Sequence, residues 1–225
     1  MFVDKSMTKR VITIKPETSL IEARALMDEH SIRHLPVTDD TNTLVGIVTD
    51  RDLRSATPSI LLDDFDSAKE RDRLSRISAR DIMSKTPAVL KPMHTIQDAL
   101  LIIQQRKVGA LPVVDENNKL KGILSVRDLM RAFTNVLGIG EPGTLLGILV
   151  EEKVGQLKRI VDAITEENIS FGSVLVARHW DASKRAVFPY LLTNNVARIK
   201  KKLIGLGYTL IDPMEWHLDR LPKDE

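Results

Sequence analysis

The sequence predicts an α/β (α+β) protein: two β-α-β-β-α repeats packed as a pseudo-symmetric pair, followed by a smaller β-α-β-β-α-β domain. Three observations carry this. Residues 7–54 and 83–130 align without a gap at an offset of 76, the spacing of Gly46 and Gly122. Within each copy, short strand-like apolar runs alternate with segments of helical apolar spacing. After Phe133 the pattern changes across Gly138-Ile139-Gly140-Glu141-Pro142-Gly143, a run of turn-forming residues.

The elements follow in order. Each copy opens on an apolar stretch, Val11-Ile12-Thr13-Ile14 or Ala88-Val89-Leu90, read as a strand and ended by Lys-Pro. Ser19 with Glu22, and Thr95 with Asp98, stand at capping-box spacing before a helix. Leu20, Ala23, Leu26 and Met27, and Ile96, Ala99, Leu100 and Ile103, give those helices a buried face. Leu35-Pro36-Val37 and Leu111-Pro112-Val113 begin a strand at a place where proline is tolerated. Polar turns follow (Asp39–Asn42, Asp115–Asn118), then second strands, Leu44–Val48 and Leu120–Leu124, and a closing helix. About a third of the aligned positions are identical, among them Arg51-Asp52-Leu53 with Arg127-Asp128-Leu129. The expected boundaries are 1–56 for the first repeat, 57–80 for a charged linker and helix, and 81–136 for the second repeat. In the linker, Asp63, Asp64 and Asp66 could attract a cation, but solvation is the simpler reading.

Composition narrows the function. The chain has 225 residues, 43% hydrophobic and 28% charged, enough for two or three packed domains. Its 33 basic and 31 acidic side chains leave a net charge of +2, no footprint for nucleic acid or an anionic membrane. The absence of cysteine excludes disulfides and thiolate chemistry. The first ten residues lack the apolar core of a signal peptide, and runs such as Leu145–Val150 are too short to span a bilayer. The cytoplasm is the expected location. The five histidines show no metal-ligand spacing, and there is no Gly-rich phosphate loop or nucleophile elbow, so no catalytic residue, metal or catalytic cofactor is expected.

The residues that stand out are Thr49 with Asp52 and Ser125 with Asp128, each pair at a strand-to-helix junction. Helix capping alone explains them. The same geometry also suits a nucleotide: free N–H groups and a hydroxyl for phosphate, and a carboxylate for ribose hydroxyls.

These motifs, Leu-Pro-Val followed by Gly46-Ile-Val-Thr-Asp-Arg-Asp52 and Gly122-Ile-Leu-Ser-Val-Arg-Asp128, resemble the CBS domain, which occurs as a tandem pair, or Bateman module. The resemblance covers roughly the first 135 residues. It implies an adenine nucleotide (AMP, ADP, ATP or another adenosyl ligand) held between the repeats as a regulatory ligand. One site would combine Thr49 and Asp52 with Met83, Ala88, Gly109 and Ala110; the other would combine Ser125 and Asp128 with Met7, Ile12, Arg33 and His34. Arg33 and His34 lead to the expectation that the second site takes the more highly charged nucleotide. For Arg33 the bland alternative is a surface ion pair, and for His34 a packed, hydrogen-bonded ring.

In residues 143–213, a strand at Leu145–Val150 precedes a helix at Val154–Glu167. A hairpin of Phe171–Ala177 and Ala186–Leu192 turns at Asp181-Ala182-Ser183. A helix at Val196–Leu206, stopped by Gly207, and a strand at Tyr208–Ile211 complete the ferredoxin-like order before a tail at 214–225. This arrangement looks like an ACT domain, an amino-acid-binding and oligomerising module. Glu152-Lys153-Val154-Gly155-Gln156-Leu157 keeps the glycine and leucine of its ligand turn but has valine for proline, which favours packing over amino-acid binding. The whole architecture resembles bacterial acetoin-utilisation proteins. The expected function is therefore a non-enzymatic, homodimeric nucleotide sensor acting on an unidentified regulated protein. The alternative is a ligand-free oligomerisation scaffold.

Overall fold

The computed structural model describes residues 1–56, 76–177 and 184–211. Most of the expected linker, the turn at Asp181–Ser183 and the tail lie outside the described residues. Two compact units divide the chain, Met1–Met130 and Arg131–Glu225.

The first unit contains both repeats. Repeat one runs α1 (Leu20–Glu29), β1 (His34–Thr38), β2 (Leu44–Thr49) and α2 (Asp50–Ala56). A short helix α3 (Ala79–Ile82) precedes repeat two, which runs α4 (Ile96–Arg106), β3 (Ala110–Val114), β4 (Leu120–Ser125) and α5 (Val126–Leu137). Both predicted capping boxes form. Ser19 Oγ accepts from Glu22 N at 3.2 Å and Thr95 Oγ1 from Asp98 N at 3.1 Å, each acid bonding back to the cap. The hairpins β1–β2 and β3–β4 are antiparallel with the same register and the same bulge.

The predicted opening strands are not strands. Val11–Ile14 and Ala88–Leu90 contribute single-residue parallel bridges, Ile14 with Val37 and Leu90 with Val113. Ile14 donates to Pro36 O and accepts from Thr38 N, and Pro16 two residues on has no N–H with which to continue the ladder. Pro36 thus occupies a strand edge where its missing donor is harmless.

The repeats exchange their leading segments. Val3, on a 3-10 turn, is fully buried in the core of repeat two with Leu90, Leu111 and Leu124. Ala79 on α3 is buried in the core of repeat one with Leu35, Val37 and Val48. Val3 N donates to His94 O and Asp4 N to Pro92 O, while Ile96 N donates to Met1 O. Each bond recurs 76 residues away: Ala79 N to Thr18 O, Arg80 N to Pro16 O, and Leu20 N to Ile77 O. At the hairpin tips Leu44 N donates to Asn118 O and Leu120 N to Asn42 O. Both asparagines are left-handed, and they return Nδ2–H bonds to Leu120 O and Leu44 O. Leu44, Val114 and Leu120 are buried beneath the tips.

The second unit has β5 (Thr144–Leu145), β6 (Gly147–Glu151), α6 (Gln156–Thr165), β7 (Phe171–Ala177), β8 (Lys184–Leu191), α7 (Ala197–Gly205) and β9 (Thr209–Ile211). β6 lies between β9 and β8, β8 also pairs β7, and every pairing is antiparallel. β5 continues β6 along β8. Ile148, Ile160, Ile164, Leu191, Ile199 and Leu203 form the core between sheet and helices. Gly155, at φ +94°, makes the turn into α6 that the sequence compared with an ACT ligand turn. Among the described residues no helix is long and apolar enough to cross a membrane.

Candidate functional site

Both junctions realise the capping geometry. Thr49 N and Oγ1 donate to Asp52 Oδ2 at 2.8 and 2.7 Å, and Asp52 N donates back to Thr49 Oγ1 at 3.3 Å. Ser125 N and Oγ donate to Asp128 Oδ2 at 2.9 and 2.6 Å, and Asp128 N donates back at 3.2 Å. The second carboxylate oxygen separates them. Asp128 Oδ1 accepts from Thr8 Oγ1 at 3.2 Å, and the residue is buried. Asp52 is only half-buried, and its Oδ1 accepts no hydrogen bond among the described residues.

Asp52 lines a cavity of about 750 Å³ whose walls come from both repeats. That volume suits a small-molecule site. Repeat one contributes Arg33, His34, Thr49, Asp50, Arg51, Asp52 and Arg54. Ser84, Ala88, Arg106, Lys107, Gly109 and Ala110 are among those facing them. Thr49, Asp52, Ala88, Gly109 and Ala110 are therefore brought together as the sequence grouped them. Met83, the sixth of that group, packs over Gly46, where an added Cβ would lie 2.6 Å from its Sδ.

Arg33 and His34, which the sequence grouped with Ser125 and Asp128, line the cavity with Thr49 and Asp52. His34 pairs with Thr49, and Arg33 O accepts from Asp50 N, so the start of β1 stands beside its own repeat's junction. The basic side chains thus gather at the junction expected to be the less charged. Met7 and Ile12 serve packing: Met7 covers Gly122, with an added Cβ 2.5 Å from its Sδ, and Ile12 packs against the core of repeat one.

His34 packs against Gly109, where an added Cβ would lie 2.9 Å from Nε2. Its ring makes no hydrogen bond among the described residues, so the alternative of a packed, hydrogen-bonded ring is met only in its packing. Burial first, and the Arg33 charge second, hold its pKa below the ordinary value, opposed by Asp52 and Asp50. Arg51, Arg106, Lys107 and Ser84 were not singled out from the sequence. Arg106 and Lys107 end α4 like any basic helix terminus, and only the fold carries them to the cavity. No group of three or more His, Asp or Glu side chains that could hold a metal occurs among the described residues.

The profile of the CBS domain matches residues 3–59 and 79–135, half of the chain. The chain belongs to the CBS-domain family. A CBS domain-containing protein of Dictyostelium discoideum is 34% identical over 138 residues, covering 61% of this chain and 94% of that one. Other CBS relatives are inosine-5'-monophosphate dehydrogenases, of which this chain spans only 20 to 23%. Among solved structures, CBSX2 in complex with AMP is 34% identical, with a TM-score of 0.49, covering 59% of this chain and 95% of that one. A Vibrio cholerae protein assigned to acetoin utilization is 26% identical, with a TM-score of 0.51, covering 62% of this chain and 96% of the other.

Proposed function

We propose that this CBS pair is a regulatory sensor that binds an adenosyl ligand in the cavity at Thr49 and Asp52. The carrying observation is the Asp52 carboxylate, with one oxygen committed to the cap and the other unengaged among the described residues, in the wall of a cavity built by both repeats. That oxygen is available to ribose hydroxyls. Ala88, Gly109 and Ala110 offer backbone and small apolar surface to the base. At the other junction Thr8 already occupies the equivalent acceptor of Asp128, so one site per pair follows. The sequence relation to CBSX2 of Arabidopsis thaliana, 35% identical over 53% of this chain, adds a relative crystallised with AMP.

Ligand bound across the two repeats biases their packing by its differential affinity for the states available to them. The C-terminal unit, read as an ACT-like packing domain, transmits the change to a regulated protein. A homodimer through the CBS pair, the C-terminal unit or both completes the proposal; a one-chain mass in sedimentation would remove that part.

Calorimetric titration with AMP, ADP and ATP tests the site. Hydrogen bonds to a charged group are worth about 1.5–3 kcal/mol, so Asp52→Asn should weaken the tightest nucleotide by on the order of tenfold to a hundredfold. Asp128→Asn should leave its affinity within a factor of about three. Unchanged affinity in Asp52→Asn, or equal loss in both variants, would place the ligand elsewhere.

A further inference from the structure

The cavity carries five basic side chains, Arg33, Arg51, Arg54, Arg106 and Lys107, against two acidic ones, Asp50 and Asp52, in a chain whose net charge is only +2. Arg54 is paired with Asp50 at 2.9 Å. Arg33, Arg51, Arg106 and Lys107 make no ion pair or side-chain hydrogen bond among the described residues. Elsewhere in this unit Lys9, Lys15, Arg80, Lys91 and Lys121 each hold a carboxylate.

The repeat supplies an internal control. At the offset of 76, Arg33 corresponds to Gly109, Arg51 to Arg127, Arg106 to His30 and Lys107 to Ser31. Carried over whole by the same offset, the lining gives the junction at Ser125 and Asp128 three basic side chains, Arg127 opposite Arg51, Arg10 opposite Thr86 and Arg33 opposite Gly109, where the junction at Thr49 and Asp52 has five. A cleft lined by one sign of charge focuses the field, and guanidinium groups match phosphate oxygens two at a time.

We infer that the cavity takes an adenine nucleoside polyphosphate, of the ADP and ATP class, in preference to AMP and to uncharged or cationic adenosyl ligands. Arg33 and Arg51 from repeat one and Arg106 and Lys107 from repeat two neutralise the phosphate chain. Both repeats thus hold the charge, and only a ligand with a phosphate chain ties them together. This inference rests on the adenosyl reading of the site.

The experiment is calorimetry without magnesium at fixed ionic strength, using adenosine, AMP, ADP, ATP, S-adenosylmethionine and inorganic tripolyphosphate. It compares the wild type with the double variant Arg106→Gln/Lys107→Gln, whose exposed positions leave the core intact and whose melting temperature is checked first. Affinity should rise with each phosphate, by on the order of tenfold from AMP to ATP. The double variant should bring ATP down to the AMP level and leave adenosine unchanged. The ATP affinity should also fall more steeply with salt than that of AMP.

AMP binding as tightly as ATP, S-adenosylmethionine binding more tightly than ATP, or an ATP affinity unmoved by the double substitution would each overturn the inference while leaving the adenosyl site standing. Tripolyphosphate bound by the wild type and lost in the double variant, with no adenosyl ligand bound, would overturn the adenosyl reading and leave an anion site. Binding of none of these probes would remove both.

Discussion

At the scale of single residues, His34 has the environment most sensitive to conditions. In the folded chain it holds its proton less tightly than the ordinary 6.5, mainly through burial. The folded state therefore binds fewer protons than the unfolded state between that lowered pKa and 6.5. Stability is complete above this window and is lost as pH falls through it. Urea midpoints from about pH 8 to about pH 5 should decline, and the decline should be shallower in His34→Gln; identical slopes would contradict this. At lower pH, Asp39 adds a second loss. The Thr43 backbone N–H first, and the Thr41 hydroxyl second, donate to its carboxylate and hold its pKa at about 2, so its contribution goes as pH falls from 3.8 towards that value. The capping residues were legible in the sequence because a cap is a local event: Ser19 with Glu22 and Thr49 with Asp52 need only a spacing of three. The free oxygen of Asp52 and the occupied oxygen of Asp128 were not legible. The difference comes from Thr8, 120 residues from Asp128 in the chain.

At the scale of elements, helices and hairpins follow the sequence closely, and the departures have local causes. The opening apolar runs pair through a single residue because the Lys-Pro that ends each one removes the next donor. That Arg33 and His34 stand beside Thr49 and Asp50 was not legible, because strand periodicity reports which face a side chain takes, not which end of which hairpin it stands beside; the register of β1 on β2 decides that. Glycines show how tightly elements meet. At Gly122 a methyl group would come within 2.5 Å of Met7 Sδ and 3.0 Å of Thr8 O. Gly122→Ala should therefore lift the segment that carries Thr8, at a cost of about 1–3 kcal/mol. At Gly205, the last residue of α7, nothing lies within 4 Å, and Gly205→Ala should stabilise by about 0.5–1 kcal/mol. Chemical denaturation of both variants checks the pair; equal effects, or the opposite order, would contradict the packing described.

At the scale of the molecule, the repeats were visible and their exchange was not. The gapless alignment begins at Met7 and Met83, whereas the structural correspondence reaches back to Met1 and Ile77 through main-chain hydrogen bonds that leave no mark on side-chain identity. Val3 and Ala79 are corresponding core residues of unlike size, each buried in the other copy's core. Val3→Ala should cost about 2 kcal/mol, and the loss should be felt in repeat two. Hydrogen exchange would show it first at the amides of β3 and β4; a loss confined to β1 and β2 would contradict the exchange. The exchange also bears on ancestry. A lone copy of this unit could complete its core only by lending its leading segment to a second molecule and borrowing one back, which is a domain-swapped dimer. Duplication and fusion of such a gene would have made that partnership permanent. With both halves in one polypeptide, each was free to diverge, and the two sides of a dyad that began equal could take on unequal charge.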